Sequence, residues 1–158
     1  SLPKPKIVNS SMLSWTLKKF DDLTPHELYA ILQLRSEVFV VEQNCVYQDM
    51  DNKDLSAWLL MGWEEGKLLA HTRLLPPGLS YDEASIGRVV SSPSARGRGI
   101  GRELMIKSIE TIYILYGHAP IRIGAQLYLQ SFYASLGFLP EGEIYLEDNI
   151  QHIIMYLP

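Results

Sequence analysis

The stretch Arg96-Gly97-Arg98-Gly99-Ile100-Gly101-Arg102 carries more information about this chain than any other part of its sequence. Glycines let the backbone turn tightly and approach a ligand without a Cβ in the way. Apolar residues follow at three- and four-residue spacing, which predicts that the glycines open a helix. These apolar residues are Leu104, Met105, Ile106, Ile109, Ile112 and Tyr113.

A helix N-terminus that follows glycines and arginines is suited to bind an anion. Its first backbone N–H groups have no partner inside the helix, and the helix dipole adds positive potential there. Arg96, Arg98 and Arg102 can contact phosphate oxygens bidentately. The loop therefore predicts a binding site for a pyrophosphate. The alternative interpretation, a flexible connector, is disfavoured by the strand and the helix on either side of the loop. The Gly-Lys-Ser/Thr ending of an NTP-binding loop is absent from this stretch, which argues against that class.

Length, charge and cysteine content narrow the class of protein. The 158 residues, 47% of them hydrophobic, predict one domain spanning residues 1–158. Because the net charge is −4, the arginines form a local positive site, and we expect no nucleic-acid partner. Apolar runs too short for a bilayer and the polar start of the chain predict a cytoplasmic protein with no membrane contact. Cys45 is the only cysteine, so we expect no disulfide and no metal.

The order of patterns along the chain predicts mixed α and β structure. The predicted strands are Trp15 to Phe20, Ala57 to Glu64, Lys67 to Leu75, Ala84 to Val90, Ile121 to Ala125, Glu143 to Leu146 and Ile150 to Leu157. A capping box at Thr24-Pro25-His26-Glu27 predicts a first helix, with helical spacing continuing to about Gln43. The glycine loop predicts a second helix to about Tyr116, and Tyr128 to Leu136 predicts a third.

Two motifs in the second half of the chain carry a family resemblance. The segment Ile86-Gly87-Arg88-Val89-Val90-Ser91 followed by Arg96-Gly97-Arg98-Gly99-Ile100-Gly101 resembles the acetyl-CoA motif Gln/Arg-x-x-Gly-x-Gly/Ala of the GNAT superfamily of N-acetyltransferases. Ser131-Phe132-Tyr133-Ala134-Ser135-Leu136-Gly137-Phe138 is similar to the aromatic pair that precedes Gly-Phe in that superfamily. The stretches Leu34 to Gln43 and Tyr47 to Asp51 resemble the ElaA-like branch.

The resemblance implies a fold and an acyl donor. The expected fold class is α+β (mixed α/β), in three layers, with a central, mostly antiparallel sheet that splays open between flanking helices. Acetyl-CoA then places its pantetheine arm in the gap, bonded by the backbone of Val89 and Val90, and its pyrophosphate on the glycine loop. The cofactor-binding residues that the resemblance implies are Arg88, Val89, Val90, Arg96, Gly97, Arg98, Gly99, Ile100, Gly101, Arg102, Gln126 and Tyr133.

The implied reaction is direct transfer of the acetyl group to a primary amine. Tyr133 stands where many relatives have a tyrosine that protonates the departing thiolate, although it could instead be an amphipathic core residue. A phenol with a pKa near 10 can donate a proton at neutral pH, which a carboxylate cannot do. A non-catalytic acyl-CoA-binding or sensor module is the alternative function. The acceptor is expected to be a small-molecule or peptide amine, and a homodimer is left open.

The sequence leaves several residues as candidates for the general base. His71 has a suitable ordinary pKa but could be a structural histidine, and Glu42 could bind or deprotonate the amine. The other admissible bases are Asp49, Asp51 and Glu83. The acidic loop Asp49, Asp51 and Asp54 either recognises a cationic acceptor or is solvated. Arg35 and Arg88 either face the cleft or pair with carboxylates, and Cys45 is more plausibly idle than nucleophilic.

Overall fold

The computed structural model describes residues 13–158 as two antiparallel sheets and three α-helices. The strands are β1 (Ser14–Lys19), β2 (Trp58–Glu64), β3 (Lys67–Leu75), β4 (Ser85–Ser91), β5 (Ile121–Gln126), β6 (Leu139–Glu147) and β7 (Ile150–Leu157). The helices are α1 (Pro25–Arg35), α2 (Ile100–Tyr116) and α3 (Gln130–Ala134). The mixed α+β prediction is thus confirmed. No helix within residues 13–158 combines the length and apolar character that a membrane span requires.

The two sheets touch where β4 and β5 begin. One sheet has the strand order β1-β2-β3-β4 and the other β5-β7-β6, so β4 and β5 are edge strands of different sheets. A parallel bridge joins Ala84 to Ile121, and the Arg122 N–H donates to the Ala84 carbonyl at 3.0 Å. Beyond this point the two strands share no further bridge, so the expected splayed sheet is present.

Local sequence signals explain where most elements begin. The capping box forms as predicted, with the Glu27 N–H donating to Thr24 Oγ1 and the Thr24 N–H donating to Glu27 Oε1. Glu65 and Gly66 connect β2 and β3 with φ values of 48° and 75°, the positive pair that a tight hairpin turn needs. Gly137 lies shortly after α3 with φ 99°, a left-handed conformation that glycine adopts readily after a helix end.

Helices cover opposite faces of the four-stranded sheet. Side chains of α1 such as Ile31 and Leu34 pack with Leu59 and Met61 of β2. On the opposite face, α2 is fastened to β3 by a hydrogen bond of 2.7 Å between the hydroxyls of Thr72 and Ser108. Because side chains alternate along a strand, His71, Arg73 and Leu75 face α1, whereas Thr72 and Leu74 face α2. A bulge shifts this alternation at the start of β3, so that Leu68 packs on the α1 side and Leu69 on the α2 side.

Three predicted elements differ from the structure. The helix predicted over Tyr128 to Leu136 is a 3-10 turn, Leu127–Leu129, followed by the shorter α3. The first helix does not remain α-helical to Gln43, since Ser36–Glu42 is a π-helix with hydrogen bonds from the Gln43 N–H to the Val38 carbonyl and from the Cys45 N–H to the Val40 carbonyl. Such wide turns carry an extra residue that periodicity does not reveal. The last hairpin begins four residues earlier than predicted, at Leu139, where Pro140 and Gly142 hide the strand pattern.

Candidate active site

A cleft of about 550 Å³ opens where β4 and β5 diverge. Its walls come from both sheets, from the loop before β2 and from the turn between β6 and β7. The residues that line the cleft include Tyr47, Asp51, Lys53, Arg73, Tyr81, Arg88, Val89, Gly124, Gln126, Tyr133, Tyr145, Glu147, Asp148 and His152. The cleft is therefore shared by segments far apart in the sequence.

The wall formed by β4 contains a bulge. Val90 pairs with His71 and Gly87 with Arg73, so β4 holds one more residue than β3 between these pairs. Arg88 sits in the bulge with φ 50°, a left-handed conformation that is uncommon for a residue with a side chain. Val89 lines the cleft beside it, whereas Val90 is buried. This irregularity interrupts the regular ladder beside the gap.

The Arg88 side chain is held by the acidic loop. Its Nε lies 2.7 Å from Asp49 Oδ1, and its Nη2 donates to the Asp49 carbonyl oxygen at 2.8 Å. A second, longer contact of 3.4 Å joins Nη2 to Asp51 Oδ2. The side chain is thus committed to this loop, and its predicted part in cofactor binding would fall to the backbone of the bulge.

Two buried arginines also pair with carboxylates of this loop. Arg35, fully buried, donates to Asp49 Oδ2 and to Asp54 Oδ1, each at 2.7 Å. Arg73 donates to both carboxylate oxygens of Asp51, at 2.7 and 3.0 Å, and approaches Asp54 Oδ1 at 3.5 Å. A solvated acidic loop was the wrong expectation for Asp49 and Asp54, which are buried. Together these ion pairs form a closed ring in which aspartates and arginines alternate. In order around the ring, its members are Asp54, Arg35, Asp49, Arg88, Asp51 and Arg73.

The glycine loop leads into α2 as predicted. Gly97 and Gly99 have φ values of 79° and 73°, and Gly99 is the residue immediately before the helix. A Cβ added at Gly97, Gly99 or Gly101 would meet no other atom within 4 Å, so the loop faces open space. Ile100 is buried and anchors the loop. The backbone can thus be approached closely by a ligand.

The arginines of the loop have partners within the protein. Arg96 donates to Glu42 Oε1 at 2.5 Å and Arg98 to Glu64 Oε2 at 2.5 Å, both between exposed side chains. Arg102 donates to Ser135 Oγ at 3.3 Å. Surface ion pairs of this kind stabilise a protein only weakly, so the guanidinium groups can be redirected to a phosphate.

Tyr133 and Gln126 line the cleft on the side of β5. The ring of Tyr133 packs edge-on against Phe132 and Phe138, with centroids 5.2 and 5.9 Å away. Burial raises the pKa of Tyr133, so the phenol keeps its proton well above neutral pH. Gln126, at the end of β5, accepts a hydrogen bond from Gln43 Nε2 at 3.3 Å and thereby connects β5 to the segment after the π-helix.

Comparison with known proteins shows the family. The family model described as the acetyltransferase (GNAT) domain matches residues 21–157. The chain belongs to the GNAT acetyltransferase family. It is 43% identical over 146 residues to protein ElaA of Escherichia coli strain K12, covering 91% of this chain and 95% of that protein. The match confirms the resemblance carried by the glycine loop and the Phe132-Tyr133 pair.

Solved structures in the GNAT family have the same fold. A crystal structure of an acyl-CoA N-acyltransferase from Pseudomonas aeruginosa has a TM-score of 0.88 and 48% identity, covering 92% of this chain and 99% of that one. An aminoglycoside 6'-N-acetyltransferase complexed with coenzyme A shares the fold at a TM-score of 0.65 and 16% identity, covering 89% and 95% of the two chains.

Two of the candidate bases, His71 and Glu42, lie away from the cleft between β4 and β5. His71 is fully buried, its Nδ1 lies 2.9 Å from the Leu60 carbonyl oxygen, and burial together with the charge of Arg35 lowers its pKa to about 3. Glu42 is paired with Arg96, beside the glycine loop. Neither is among the residues that line the cleft, which disfavours both as bases.

The three remaining candidates for the base are held by arginines. Asp49 is in the buried ring, and Glu83 pairs with Arg122 at 2.8 Å. Asp51 faces the cleft, but although its burial acts to raise its pKa, the hydrogen bonds and charge of Arg73 lower it to about 2. A carboxylate with so low a pKa is a weak base.

Sequence reasoning missed the wall that faces β4 across the cleft. Tyr81, Tyr145, Glu147 and His152 line this wall, and the hydroxyls of Tyr81 and Tyr145 both lie close to Gly124. A Cβ at Gly124 would come within 2.7 Å of the Tyr145 hydroxyl. No short motif marks these residues, since the pairing of β6 with β7 and the loop before β4 bring them together. The alternation of β7, with Ile153 and Met155 buried in the core, was the one signal that places His152 on the opposite face.

Proposed function

We propose that this GNAT domain transfers the acetyl group of acetyl-CoA to a primary amine by direct attack, without a covalent enzyme intermediate. The observation that carries the proposal is the cleft between β4 and β5, with a glycine cradle beside it and Tyr133 in its wall. Acetyl-CoA supplies the activated thioester. The shared fold of the aminoglycoside acetyltransferase complexed with coenzyme A supports this choice of donor.

The chain's own groups fit a coenzyme A molecule. The space around Gly97, Gly99 and Gly101 at the start of α2 is open, and the first N–H groups of a helix have no partner inside it, as a pyrophosphate requires. Arg96 and Arg98 can exchange their carboxylate partners for phosphate oxygens. Because β4 is an edge strand, the backbone around Val89 has groups available to bond the amides of a pantetheine arm.

The chemistry divides between the two walls of the cleft. Backbone N–H groups near Val90 are the donors that would stabilise negative charge developing on the thioester oxygen. The Tyr133 hydroxyl holds a proton that the departing sulfur needs. Burial raises the pKa of Tyr133, which favours return of that proton after each turnover. In this assignment Tyr133 is the general acid.

The acceptor is proposed to be a small-molecule or peptide amine that enters the cleft beside its tyrosine side chains. Tyr47, Tyr81 and Tyr145 contribute aromatic surface, and Glu147 and Asp148 contribute carboxylates. Aromatic faces and carboxylates both attract an ammonium group. This combination favours a cationic amine over an anionic acceptor.

Two measurements on the same protein test the proposed function. Calorimetric titration with acetyl-CoA should give saturable binding, and release of free thiol should then depend on an added amine from a panel of small amines and peptides. Binding without amine-dependent thiol release would favour the acyl-CoA-binding module instead. Absence of binding at millimolar acetyl-CoA would contradict both functions.

A further inference from the structure

His152 lies in the middle of a row of polar side chains on the cleft face. It pairs across the strands with Tyr145 on one side and Gln126 on the other, and cross-strand neighbours share one face of a sheet. All three line the cleft together with Tyr133. The imidazole stacks on Tyr145, with ring centroids 5.6 Å apart and an angle of 25° between the rings. The ring is thereby held in one orientation at the cleft wall.

A backbone contact fixes which nitrogen of this ring is free. His152 Nδ1 lies 2.7 Å from the Ile150 carbonyl oxygen, and a carbonyl can only accept, so Nδ1 carries the hydrogen. In the neutral ring the lone pair is therefore on Nε2. Nε2 lies 3.7 Å from Glu147 Oε2, too far for a direct hydrogen bond. The lone pair and the carboxylate are two neighbouring acceptors for an N–H group.

Two titratable groups that line the cleft with His152, Tyr145 and Asp51, are each held in one protonation state. On β6, burial raises the pKa of Tyr145 to about 12, so it stays protonated, and exposed Glu147 faces solvent. Gln126 on β5 does not titrate. Across the cleft, Asp51 is held by Arg73 with a pKa of about 2, and Lys53 donates to Ser80 Oγ at 2.7 Å.

We propose that Nε2 of His152 is the base that deprotonates the acceptor amine, an inference that rests on the proposed N-acetyl transfer. The ammonium gives one proton to Nε2, and the freed nitrogen lone pair forms a bond to the thioester carbon. The C–S bond breaks, its electron pair goes to sulfur, and sulfur takes the Tyr133 proton. The second surplus proton on nitrogen returns to the Tyr133 oxygen. His152 releases its proton past Glu147 to solvent, so one proton is produced in each turnover.

His71 supplies an internal contrast for this assignment. Both histidines donate from Nδ1 to a backbone carbonyl, so both have the free lone pair on Nε2. Nε2 of His71 is buried and has no hydrogen-bond partner, whereas His152 faces the cleft. The same chemical form of the ring is thus enclosed in the core at one position and placed in the cleft wall, 8% exposed, at the other.

His152→Asn is the variant that separates a base from a structural residue. Asparagine keeps an N–H donor near the Ile150 carbonyl and removes the basic nitrogen. We expect kcat/KM for the amine at pH 7 to fall about 100-fold, as removal of a general base typically does. The loss should shrink as pH rises and free amine accumulates, and acetyl-CoA affinity should stay within twofold. His118→Asn is the matched control, because His118 is also stacked on a tyrosine, Tyr113, outside the cleft.

A second readout does not depend on activity. Long-range ¹H–¹⁵N correlation spectra of the wild-type protein should show His152 with hydrogen on Nδ1. An Nε2–H tautomer, or a variant whose pH profile for kcat/KM matches the wild type within twofold, would overturn the assignment while leaving N-acetyl transfer intact. A wild-type protein that binds acetyl-CoA but acetylates no amine would instead remove the proposed function, and this inference with it.

Discussion

Tyr133 is the residue on which the proposed chemistry depends most. Tyr133→Phe keeps the ring contacts with Phe132 and Phe138 and removes only the hydroxyl. We expect kcat to fall about 100-fold, because loss of a general acid costs this much or more. Calorimetry should find the affinity for acetyl-CoA within twofold of wild type.

The control for this variant is Tyr113→Phe, which removes a hydroxyl from a tyrosine of α2 outside the cleft. Its kcat should match wild type. If Tyr133→Phe also turned over at the wild-type rate, the phenol would be a packing residue and the sulfur would obtain its proton elsewhere.

Glu42 offers a second test at the residue scale, because its carboxylate pairs with the Arg96 guanidinium. Glu42→Gln should leave Arg96 freer to bind a phosphate and tighten acetyl-CoA binding up to about fivefold, the size of a surface ion pair of up to about 1 kcal/mol. The kcat should remain within twofold. A large drop in kcat/KM for the amine, with unchanged acetyl-CoA affinity, would return Glu42 to the acceptor site.

Single residues were predictable where a local motif fixes their role. Tyr133 and the glycines of the loop belong to contiguous stretches, so spacing and family resemblance sufficed to select them. His152 depends on pairing with Tyr145 and Gln126, and such register is set by the whole sheet. The choice of His71 shows the same limit, since a strand pattern does not tell which face is buried under α1.

At the scale of elements, the glycine loop and α2 form one unit. Gly99→Trp should abolish acetyl-CoA binding, because a side chain there would fill the open space in front of the helix N-terminus. Left-handed backbone at φ 73° adds a strain of about 1 to 2 kcal/mol, which must be separated from lost binding.

Gly142→Trp is the matched control for Gly99→Trp. Gly142 has φ 78° and open surroundings, but lies in β6, away from the loop. Both variants should lose similar stability in urea unfolding, and only Gly99→Trp should lose affinity in calorimetry. Wild-type affinity in Gly99→Trp would mean that the pyrophosphate binds elsewhere.

The elements that the sequence left hidden are those with irregular backbone. The π-helix Ser36–Glu42 retains an apolar helical pattern, and hydrogen bonding alone distinguishes it from an α-helix. The sequence around the β4 bulge at Arg88 predicts an ordinary strand. One extra residue changes which side of the sheet the following side chains face, but it does not change the residue types. Both irregular segments lie at or beside the cleft, where such features are common.

At the scale of the whole molecule, the ring of arginines and aspartates ties the loop before β2 to β3, β4 and α1. Removing one partner from a buried ion pair leaves an uncompensated charge, so such rings hold only while every carboxylate is ionised. The loop carrying Asp49, Asp51 and Asp54 forms one wall of the cleft through Asp51. Its position, and with it the cleft, depends on this charge balance.

Acid should therefore weaken the fold over a defined range. The pKa of Asp51 is lowered from 3.8 to about 2 and that of Asp54 is also lowered, because pairing with arginines outweighs burial. A lowered pKa stabilises the folded state above the unfolded pKa, and the contribution is lost as pH falls through the folded value. Between about pH 4 and pH 2, Asp51 should account for about 1 to 2 kcal/mol of lost stability.

Asp51→Asn tests this account in urea unfolding from pH 7 to pH 2. The variant should be less stable than wild type at pH 7, and the difference should vanish towards pH 2. Asp22→Asn, at an exposed carboxylate outside the ring, should follow the wild-type curve. A constant gap between Asp51→Asn and wild type across the whole range would contradict the charge-based explanation.

The overall architecture was the most predictable property. Alternating strand patterns, the capping box and the two family motifs sufficed for the mixed α+β fold, because each is local. The acidic loop was misjudged because its partners Arg35, Arg73 and Arg88 come from three separate elements. Long-range pairing of charges leaves no trace in local polarity.

The central claim is that an acetyl group passes from acetyl-CoA to an amine at the cleft between β4 and β5. Mass spectrometry of amine mixtures incubated with the protein and isotopically labelled acetyl-CoA tests it most directly. We predict an amine product that carries the labelled acetyl group, formed with the wild type and with Gly142→Trp but not with Gly99→Trp. Labelled amines at equal rates with and without protein, or undiminished with Gly99→Trp, would contradict the claim.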